Sequence, residues 1–495
     1  MRRFLASLSI TAFLLAAAPA LADDAPAKPD SKSDEIKLPP MSPDKTIDQV
    51  ARIGNKEIRY KATVGHIDIR DSKGKVIGQV VYTAYTVPTP GRPVTFAFNG
   101  GPGAASVFLN MGAIGPKRVP FGDRGDSPSD APILRDNPAS WLDFTDLVFI
   151  DPIGTGFSRS LVDADETKKA FYGAKPDVEY LSRVVYDWLT KYGRMTSRKY
   201  LVGESYGGYR VPRLAYHLQS QMGVGVSGLV MVSPYLDPPA LGNETSLSPL
   251  PWMIDLPSMA AGNFERQGRT LNATTMSEVE NYATTEFVTD FLKGTSDKAA
   301  TDRLSAHVAS YTGLDPALVR RLDGRIDIPT YLREIRRNTG QVGSVYDSNV
   351  TAYDPFPASA DANYNDPLLD GIIAPTTSAA VDFVTNQVGW KADWHYETLS
   401  YLVNRAWDRQ QDDAPVTDLR KAIANDPKMA VMIAHGFDDL SCPYFTSKLV
   451  IDQMPKFGVA QRVKLHVYPG GHMFYARSTS AEAFKRDAAE IYGLR

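Results

Sequence analysis

Cysteine is nearly absent from this sequence: its 495 residues include a single one, Cys442. No intramolecular disulfide can form, and metal sites built on paired cysteines are excluded. Neither sign of charge is in surplus, with 54 Lys and Arg against 57 Asp and Glu and a formal net charge of -3. Because there is no long basic run either, nothing indicates binding to nucleic acid or to an anionic membrane.

Several cofactor motifs are also missing. The sequence contains no His-Glu-x-x-His, no phosphate-binding loop and no dinucleotide fingerprint, so we expect neither a metal nor a cofactor. What is present in quantity is apolar material, 43% of the residues. That fraction and the chain length predict a large core domain with an insertion, or two domains.

The first 22 residues have the pattern of a secretory signal peptide. Arg2 and Arg3 precede an apolar run over 4–18, and Ala20-Leu21-Ala22 gives the small-x-small pattern of a cleavage site. The run is shorter than the roughly 20 residues that a spanning helix needs, so we expect cleavage and no stable membrane span. Residues 23–45, rich in Pro, Asp, Lys and Ser, predict a flexible leader. Export without disulfides favours the periplasm or the extracellular medium.

Short apolar runs alternate with helical patterns along much of the chain. Helical spacing of apolar residues is found in 181–189 and 211–222. A closing helix is predicted to start with a capping box of Thr479 and Glu482. Such alternation predicts an α/β class of fold, with a mostly parallel sheet flanked by helices. The predicted strands are 94–98, 146–150, 201–202, 228–232, 429–433 and 463–467.

Residues 238–393 interrupt this alternation. They carry helical patterns and then a passage rich in Pro, Asp and Asn around 353–367, with few strand signals. We therefore predict a core in two parts, 46–237 and 394–495, with a mainly helical cap inserted between them.

Ser205 is the first candidate for chemistry. It lies in Gly203-Glu204-Ser205-Tyr206-Gly207, a Gly-x-Ser-x-Gly pattern directly after a predicted strand and before a predicted helix. In that context the pattern is typical of a nucleophile elbow, whose sharp turn lifts the serine hydroxyl clear of the sheet. The sequence therefore predicts Ser205 as a nucleophile.

A nucleophilic serine needs a histidine base and an acid that orients it, in the chain order Ser, acid, His. Only His472 combines a late position with a loop at a strand end, Pro469-Gly470-Gly471. The other downstream histidines lie on a predicted helix, in the cap, without a strand before them, too early to leave room for the acid or inside a strand; they are, in that order, His217, His307, His395, His435 and His466.

Two adjacent carboxylates follow the strand before His472. Asp438 and Asp439 both come after 429–433, and their spacing alone does not separate the acid from a residue that merely caps the next helix.

Five ordered blocks of this sequence resemble motifs of the serine carboxypeptidase family, in the α/β-hydrolase superfamily. The resemblance runs from about residue 94 to 475, apart from the cap. It implies an α/β-hydrolase fold, and the Gly-x-x-Asp spacing of its acid motif implies Asp439 rather than Asp438. The blocks are Asn99-Gly100-Gly101-Pro102-Gly103, Asp151-Pro152-Ile153-Gly154-Thr155-Gly156-Phe157-Ser158, Gly203-Glu204-Ser205-Tyr206-Gly207, Gly436-Phe437-Asp438-Asp439 and Gly470-Gly471-His472-Met473.

The same resemblance implies an oxyanion hole and a carboxylate-binding group. The backbone N–H groups of Gly101 and Tyr206 are the implied oxyanion donors. Asn99, Gly100 and Glu204 are the implied residues that bind the free carboxylate of a peptide.

One position departs from the family pattern. The family pattern has a second glutamate shortly before Gly115-Pro116, and this sequence has Ala113 at that position. Two carboxyl groups that share a proton can donate a hydrogen bond to a carboxylate, so the loss of one of them weakens the inference that a peptide's free carboxylate is recognised. Our hypothesis at this point is that Lys117 or Arg118 takes over that role.

The resemblance implies a serine-type carboxypeptidase acting on peptides through an acyl-enzyme on Ser205. A second interpretation keeps the machinery and changes the substrate, giving an esterase, an acyltransferase or an aminopeptidase-like hydrolase that acts on a peptide or small ester. A third is an exported binding protein without catalysis. The sequence gives no indication of the oligomeric state.

Overall fold

The computed structural model describes residues 38–120, 129, 131–236, 247–359, 363–411, 415–458 and 462–494. The predicted signal peptide, 1–22, and residues 23–37 of the predicted leader lie outside these ranges. The end of the leader is described: Met41 is buried, and Lys45 begins the first strand. From Pro39 onward the chain forms one compact unit.

The strands and helices follow in chain order. The strands are β1 (Lys45–Ile53), β2 (Lys56–Arg70), β3 (Val76–Thr86), β4 (Val94–Phe98), β5 (Lys117–Arg118), β6 (Arg135–Asp136), β7 (Asp146–Ile150), β8 (Arg159–Ser160), β9 (Lys199–Glu204), β10 (Gly228–Val232), β11 (Gln341–Gly343), β12 (Thr351–Tyr353), β13 (Ala430–Gly436) and β14 (Val463–Tyr468). The helices are α1 (Ala164–Phe171), α2 (Ala174–Lys191), α3 (Tyr206–Gln221), α4 (Leu250–Arg266), α5 (Ala273–Tyr282), α6 (Val288–Lys293), α7 (Lys298–Thr312), α8 (Pro316–Arg321), α9 (Ile328–Glu334), α10 (Pro367–Asp382), α11 (Tyr401–Ala406), α12 (Val416–Asn425), α13 (Tyr444–Asp452) and α14 (Ser478–Ile491).

A ten-stranded sheet organises the molecule in the order β1-β2-β3-β7-β4-β9-β10-β13-β14, with β8 beside β3. Six neighbouring strands of this sheet are parallel to one another, and each overlaps a predicted strand. They are β7, β4, β9, β10, β13 and β14. Antiparallel pairing joins β1, β2 and β3 to that unit. The predicted mostly parallel sheet with flanking helices is therefore confirmed. Because the carboxyl ends of parallel strands meet at one edge, the loops after β4, β9, β13 and β14 lie together there.

Both faces of the sheet are covered, which explains why its central strands are apolar throughout. Along β9, Tyr200 and Val202 contribute to one hydrophobic cluster and Leu201 contributes to the other. Helices α2, α3 and α12 pack on the Leu201 face, and α10 and α14 pack on the opposite face.

The start of α14 differs from the prediction. The helix begins at Ser478 after the extended backbone of Arg477, and no side-chain hydrogen bond caps it. The Thr479 capping box is wrong because Thr479 already lies inside the first turn.

In the described ranges six α-helices, α4 to α9, follow one another between β10 and β11, within the stretch predicted as an insertion. Their apolar faces form a third hydrophobic cluster. That cluster is completed by residues that follow β13 rather than by the insertion alone: Phe437, Leu440, Tyr444 and Phe445. In contrast, Leu369 and Ile372 of α10 pack into the core beside the sheet. No helix in the described ranges is long and apolar enough to cross a bilayer.

Candidate active site

Ser205 occupies a sharp turn between β9 and α3. Its backbone has φ +60° and ψ -121°, a conformation that costs free energy for a residue with a side chain and that persists only where its surroundings enforce it. Here the Ser205 N–H donates to the Val232 carbonyl at 2.9 Å, and the Ser205 carbonyl accepts from Gly208 at 2.8 Å. The strand-turn-helix context on which the elbow prediction depends is therefore present.

The glycines around Ser205 are required by close backbone contacts. A Cβ on Gly203 would collide with the carbonyl oxygen of Gly207, and one on Gly207 would collide with the carbonyl oxygen of Phe98. The turn therefore packs directly against the end of β4, where the Asn99-Gly100-Gly101 segment begins.

Asp439 and His472 are brought together from two strand ends. The Nδ1 atom of His472 lies 2.8 Å from Asp439 Oδ2, and the two side chains are 2% and 0% exposed. The other carboxylate oxygen, Asp439 Oδ1, accepts from the N–H groups of Ser441 and Cys442, each at 2.9 Å. These bonds fix the carboxylate, which in turn orients the imidazole.

The electrostatics of this pair favour a charged imidazole. Burial alone lowers the pKa of His472, but the charge of Asp439 and its hydrogen bond outweigh burial, so the pKa is raised above its ordinary value. An acid that stabilises an imidazolium is the arrangement that a general base in acyl transfer needs.

Ser205 and the Asp439 carboxylate have a common neighbour in Cys442. Burial raises the pKa of the Cys442 thiol well above its usual value, and hydrogen bonds with Ser441 and Ser205 act in the opposite direction. The described hydrogen bonds do not include one between Ser205 and His472. Such bonds are commonly long in free enzymes and shorten when substrate binds.

Asp438 takes a different place from Asp439. Its carboxylate faces away from His472 toward Asn349 Nδ2 at 3.5 Å and Arg477 Nη2 at 3.7 Å. Burial raises the pKa of Asp438 well above its usual value, and the neighbouring Asp347 and Glu265 raise it further. The geometry therefore supports Asp439 as the partner of His472.

Arg477 anchors the loop that carries His472. It contacts Glu265 of α4 through two bonds and Asp347 at 3.0 Å. Asp347 Oδ2 also accepts from the Gly471 N–H at 3.1 Å, and the Tyr346 carbonyl accepts from the His472 N–H. The insertion and the loop after β14 are thus tied together directly behind the imidazole.

The implied oxyanion hole lies where two backbone segments converge. A Cβ on Gly100 would collide with the backbone nitrogen of Tyr206, so only glycine permits this approach. Gly101 has φ +99°, and no described residue accepts from its N–H. This arrangement is compatible with donation by Gly101 and Tyr206 to a tetrahedral intermediate.

Glu204 is buried beside Ser205 and makes two hydrogen bonds. Its Oε2 accepts from Asn99 Nδ2 at 3.1 Å and from the Tyr475 hydroxyl at 2.8 Å. Burial raises the pKa of Glu204 to about 7, although His472, Tyr475 and Asn99 each act to lower it. The sequence-predicted pair of Asn99 and Glu204 is therefore in contact.

Asn99 is itself held in one orientation. Its Oδ1 accepts from the Leu109 N–H at 2.9 Å, which leaves its Nδ2 as the donor to Glu204. Its carbonyl accepts from Arg210 at 2.7 Å, and Arg210 forms a buried ion pair with Asp177 at 2.6 Å.

Tyr475 is the residue that the sequence analysis missed. Of the basic residues in the earlier hypothesis, Lys117 pairs with Asp136 and Arg118 donates to the Ala476 carbonyl at 3.3 Å, and their role in carboxylate binding stays a prediction. No local pattern distinguishes Tyr475, and its only signal is its position three residues after His472.

The other histidines lie in structural settings. His435 is buried, its Nε2 lies 2.8 Å from Ser447 Oγ, and burial lowers its pKa to about 3. His466 lies 3.3 Å from Asp487, and His307 stacks on Tyr282.

A cavity of about 830 Å³ opens beside the His472 loop. Gly471 and Met473, on either side of His472, form part of its wall. Apolar residues of α10 and charged residues of the insertion form the rest, among them Leu368, Ile372, Arg266 and Arg336.

Comparisons with known proteins agree with this architecture. The family model described as serine carboxypeptidase matches residues 54–314, a range that includes Ser205 but neither Asp439 nor His472. Serine carboxypeptidase-like 44 of Arabidopsis thaliana is 33% identical over 168 residues, which is 33% of this chain and 32% of that protein. Serine carboxypeptidase-like 36 of the same plant is 28% identical over 204 residues, covering 40% and 39%. The matches span about one third of the length of these relatives.

Among solved structures, Kex1Δp, a prohormone-processing carboxypeptidase from Saccharomyces cerevisiae, has a similar fold. The TM-score is 0.55 at 15% identity, over 88% of this chain and 91% of that one. This likeness concerns the fold alone. The family-model match, by contrast, extends over more than half of the 495 residues and establishes that this chain belongs to the serine carboxypeptidase family.

Proposed function

We propose that this protein is an exported serine-type carboxypeptidase that hydrolyses C-terminal peptide bonds through an acyl-enzyme on Ser205. The observation that carries the proposal is the buried hydrogen bond between Asp439 and His472. It lies at the carboxyl ends of the parallel strands, where the turn that contains Ser205 also lies. Family membership supports the reaction class, and the signal-peptide pattern of residues 1–22 supports export.

The reaction would proceed in two halves. His472 Nε2 accepts the Ser205 proton while Oγ forms a bond to the scissile carbonyl carbon, and Asp439 stabilises the resulting imidazolium. The N–H groups of Gly101 and Tyr206 donate to the oxyanion. The C–N bond then breaks as His472 returns the proton to the leaving amine. In the second half, water replaces the amine and releases the acyl group from Ser205 by the same steps.

Glu204 supports a preference for a free C-terminus. A carboxyl group with a pKa of about 7 is largely neutral in mildly acidic solution, and a neutral carboxyl group can donate a hydrogen bond to a carboxylate. It lies one residue from Ser205, where the carboxylate of the last residue of a peptide would be placed.

The test compares N-blocked dipeptides that differ only at the C-terminus, one with a free carboxylate and one amidated. We expect the free acid to be cleaved with a kcat/KM at least about tenfold higher, because its carboxylate is charged and accepts a stronger hydrogen bond from neutral Glu204 than the carbonyl oxygen of the amide does. Equal cleavage of both would reject the carboxypeptidase proposal and leave a broader hydrolase.

One observation favours an esterase or acyltransferase as the second candidate: Ala113 stands where the family pattern has a second glutamate. Higher activity on short esters than on any free-acid peptide would support it. A fluorophosphonate probe tests both candidates against a non-catalytic binding protein. Both require labelling of the wild type and loss of labelling in Ser205→Ala.

A further inference from the structure

The hydrogen bonds of Glu204 are unevenly distributed between its two oxygens. Both donors, Asn99 Nδ2 and the Tyr475 hydroxyl, are bonded to Oε2. No described residue donates to Oε1, which is not fully buried. An oxygen that accepts two hydrogen bonds acts as the carbonyl oxygen of a neutral carboxylic acid, so the proton belongs on the other oxygen.

We propose that Tyr475 is a positioning residue that, together with Asn99, holds the proton of neutral Glu204 on Oε1 and presents it to the substrate's C-terminal carboxylate. Tyr475 would thus compensate for the absence of a second carboxyl group at Ala113. This inference rests on the proposed carboxypeptidase function and adds a residue to its carboxylate-binding group.

The position of Tyr475 is well defined. Its side chain is fully buried, and it belongs to the short helical turn Phe474–Ala476 immediately after His472. That turn is fixed by ring contact between Phe474 and Phe484 at 5.3 Å and by the ion pairs of Arg477. The loop that carries the histidine therefore also carries a rigid donor for Glu204.

The Tyr475 hydroxyl keeps its proton and is therefore available as a donor to Glu204. Burial raises the pKa of its hydroxyl well above the ordinary value, and the neighbouring Glu204 raises it further, so the hydroxyl keeps its proton. Three ionisable groups shift the pKa of Glu204, namely His472, Asp439 and Tyr475. The charge of Glu204 in turn raises the pKa of the Cys442 thiol.

The decisive variant is Tyr475→Phe, which removes one oxygen and keeps the ring. For free-acid dipeptides we expect KM to rise about tenfold with kcat little changed, because Glu204 loses the bond that orients its proton. Cleavage of an ester without a carboxylate should be unaffected. Since the Tyr475 hydroxyl lowers the pKa of Glu204, the alkaline limb of the free-acid profile should move to higher pH in Tyr475→Phe.

Tyr468→Phe provides a matched control. Its hydroxyl also donates to a carboxylate at 2.8 Å, but that carboxylate belongs to Asp487, and its ring packs on Phe474 of the same turn. We expect KM, kcat and the pH profile to remain those of the wild type.

A double-mutant cycle tests whether Tyr475 acts through Glu204. In a Glu204→Gln background, adding Tyr475→Phe should change KM for free-acid peptides by less than about twofold, because the group it orients is gone. Additive losses, an equal loss on the ester, or an unmoved alkaline limb would each overturn the proposal. If the wild type does not prefer free acids, the proposed function itself fails. If the wild type prefers them and Tyr475→Phe keeps that preference, only the role of Tyr475 is rejected.

Discussion

Two adjacent carboxylates at the end of β13 have opposite environments. Asp439 is bonded to His472, whereas Asp438 faces the Arg477 cluster. Asp439→Asn should lower kcat by about 10⁴-fold with KM little changed, because the amide favours the wrong imidazole tautomer. Asp438→Asn should leave kcat within a few fold, because the Asp438 carboxylate contacts Asn349 and Arg477 and is not bonded to His472. Steady-state kinetics on one peptide would decide, and equal losses in both variants would contradict the assignment.

The pKa values of His472 and Glu204 predict different pH profiles for two substrate classes. His472 must be neutral to accept a proton, so kcat/KM rises with pH as its raised pKa is passed. Glu204 must be protonated to bind a carboxylate, so for free-acid peptides kcat/KM falls above about pH 7. Esters without a carboxylate should keep only the rising limb. If kcat/KM for the ester also falls at alkaline pH, a group other than Glu204 causes that fall.

Residue roles differed in how far the sequence could predict them. Ser205 and His472 were predicted from local motifs at strand ends, whereas the choice of Asp439 over Asp438 came from the resemblance to the acid motif of the serine carboxypeptidase family. Tyr475 was not predicted, because its partner Glu204 is 271 positions away and only the fold brings them together.

At the scale of elements, the parallel strands could be predicted and the antiparallel ones could not. Strands such as β4 and β10 are buried on both faces and therefore form continuous apolar runs. In β1 most residues are at least partly exposed, and Lys, Asp and Gln interrupt its apolar positions. β1, β2 and β3 were consequently not predicted from apolar runs. They are recognised only by their pairing with one another in the structure.

Arg477 ties α4 to the loop after β14, which gives a prediction about both stability and rate. Arg477→Ala leaves Glu265 and Asp347 without their cation, so we expect a loss of about 2 kcal/mol in the free energy of unfolding. We also expect a lower kcat, because Asp347 and Gly471 are bonded to each other. Urea unfolding and peptide kinetics measure the two effects.

The control for that variant is Arg486→Ala on α14. Arg486 is 72% exposed and pairs with Asp487 at 3.6 Å, so its loss should change the free energy of unfolding by less than about 0.5 kcal/mol. If both variants lower the free energy of unfolding equally, the ion pairs of Arg477 contribute no more to stability than an exposed ion pair does.

For the whole molecule, stability should be independent of redox conditions. Cys442 is the sole cysteine and is buried as a free thiol. We therefore expect the same Tm and the same activity with and without a reductant, although the protein is proposed to be exported. A reductant-dependent Tm in thermal unfolding would point to an intermolecular disulfide instead.

The third hydrophobic cluster has a consequence for modularity. Helices α4 to α9 share their apolar interior with Phe437, Leu440, Tyr444 and Phe445, which flank Asp439 on the chain. If α4 to α9 were replaced by the insertion of another protein, its apolar side chains would not match these four residues. The segment that contains Asp439 would then lose its packing. Change in the helical insertion is then expected to proceed by exchange of single side chains, since replacement of the whole insertion would disturb the segment that carries Asp439.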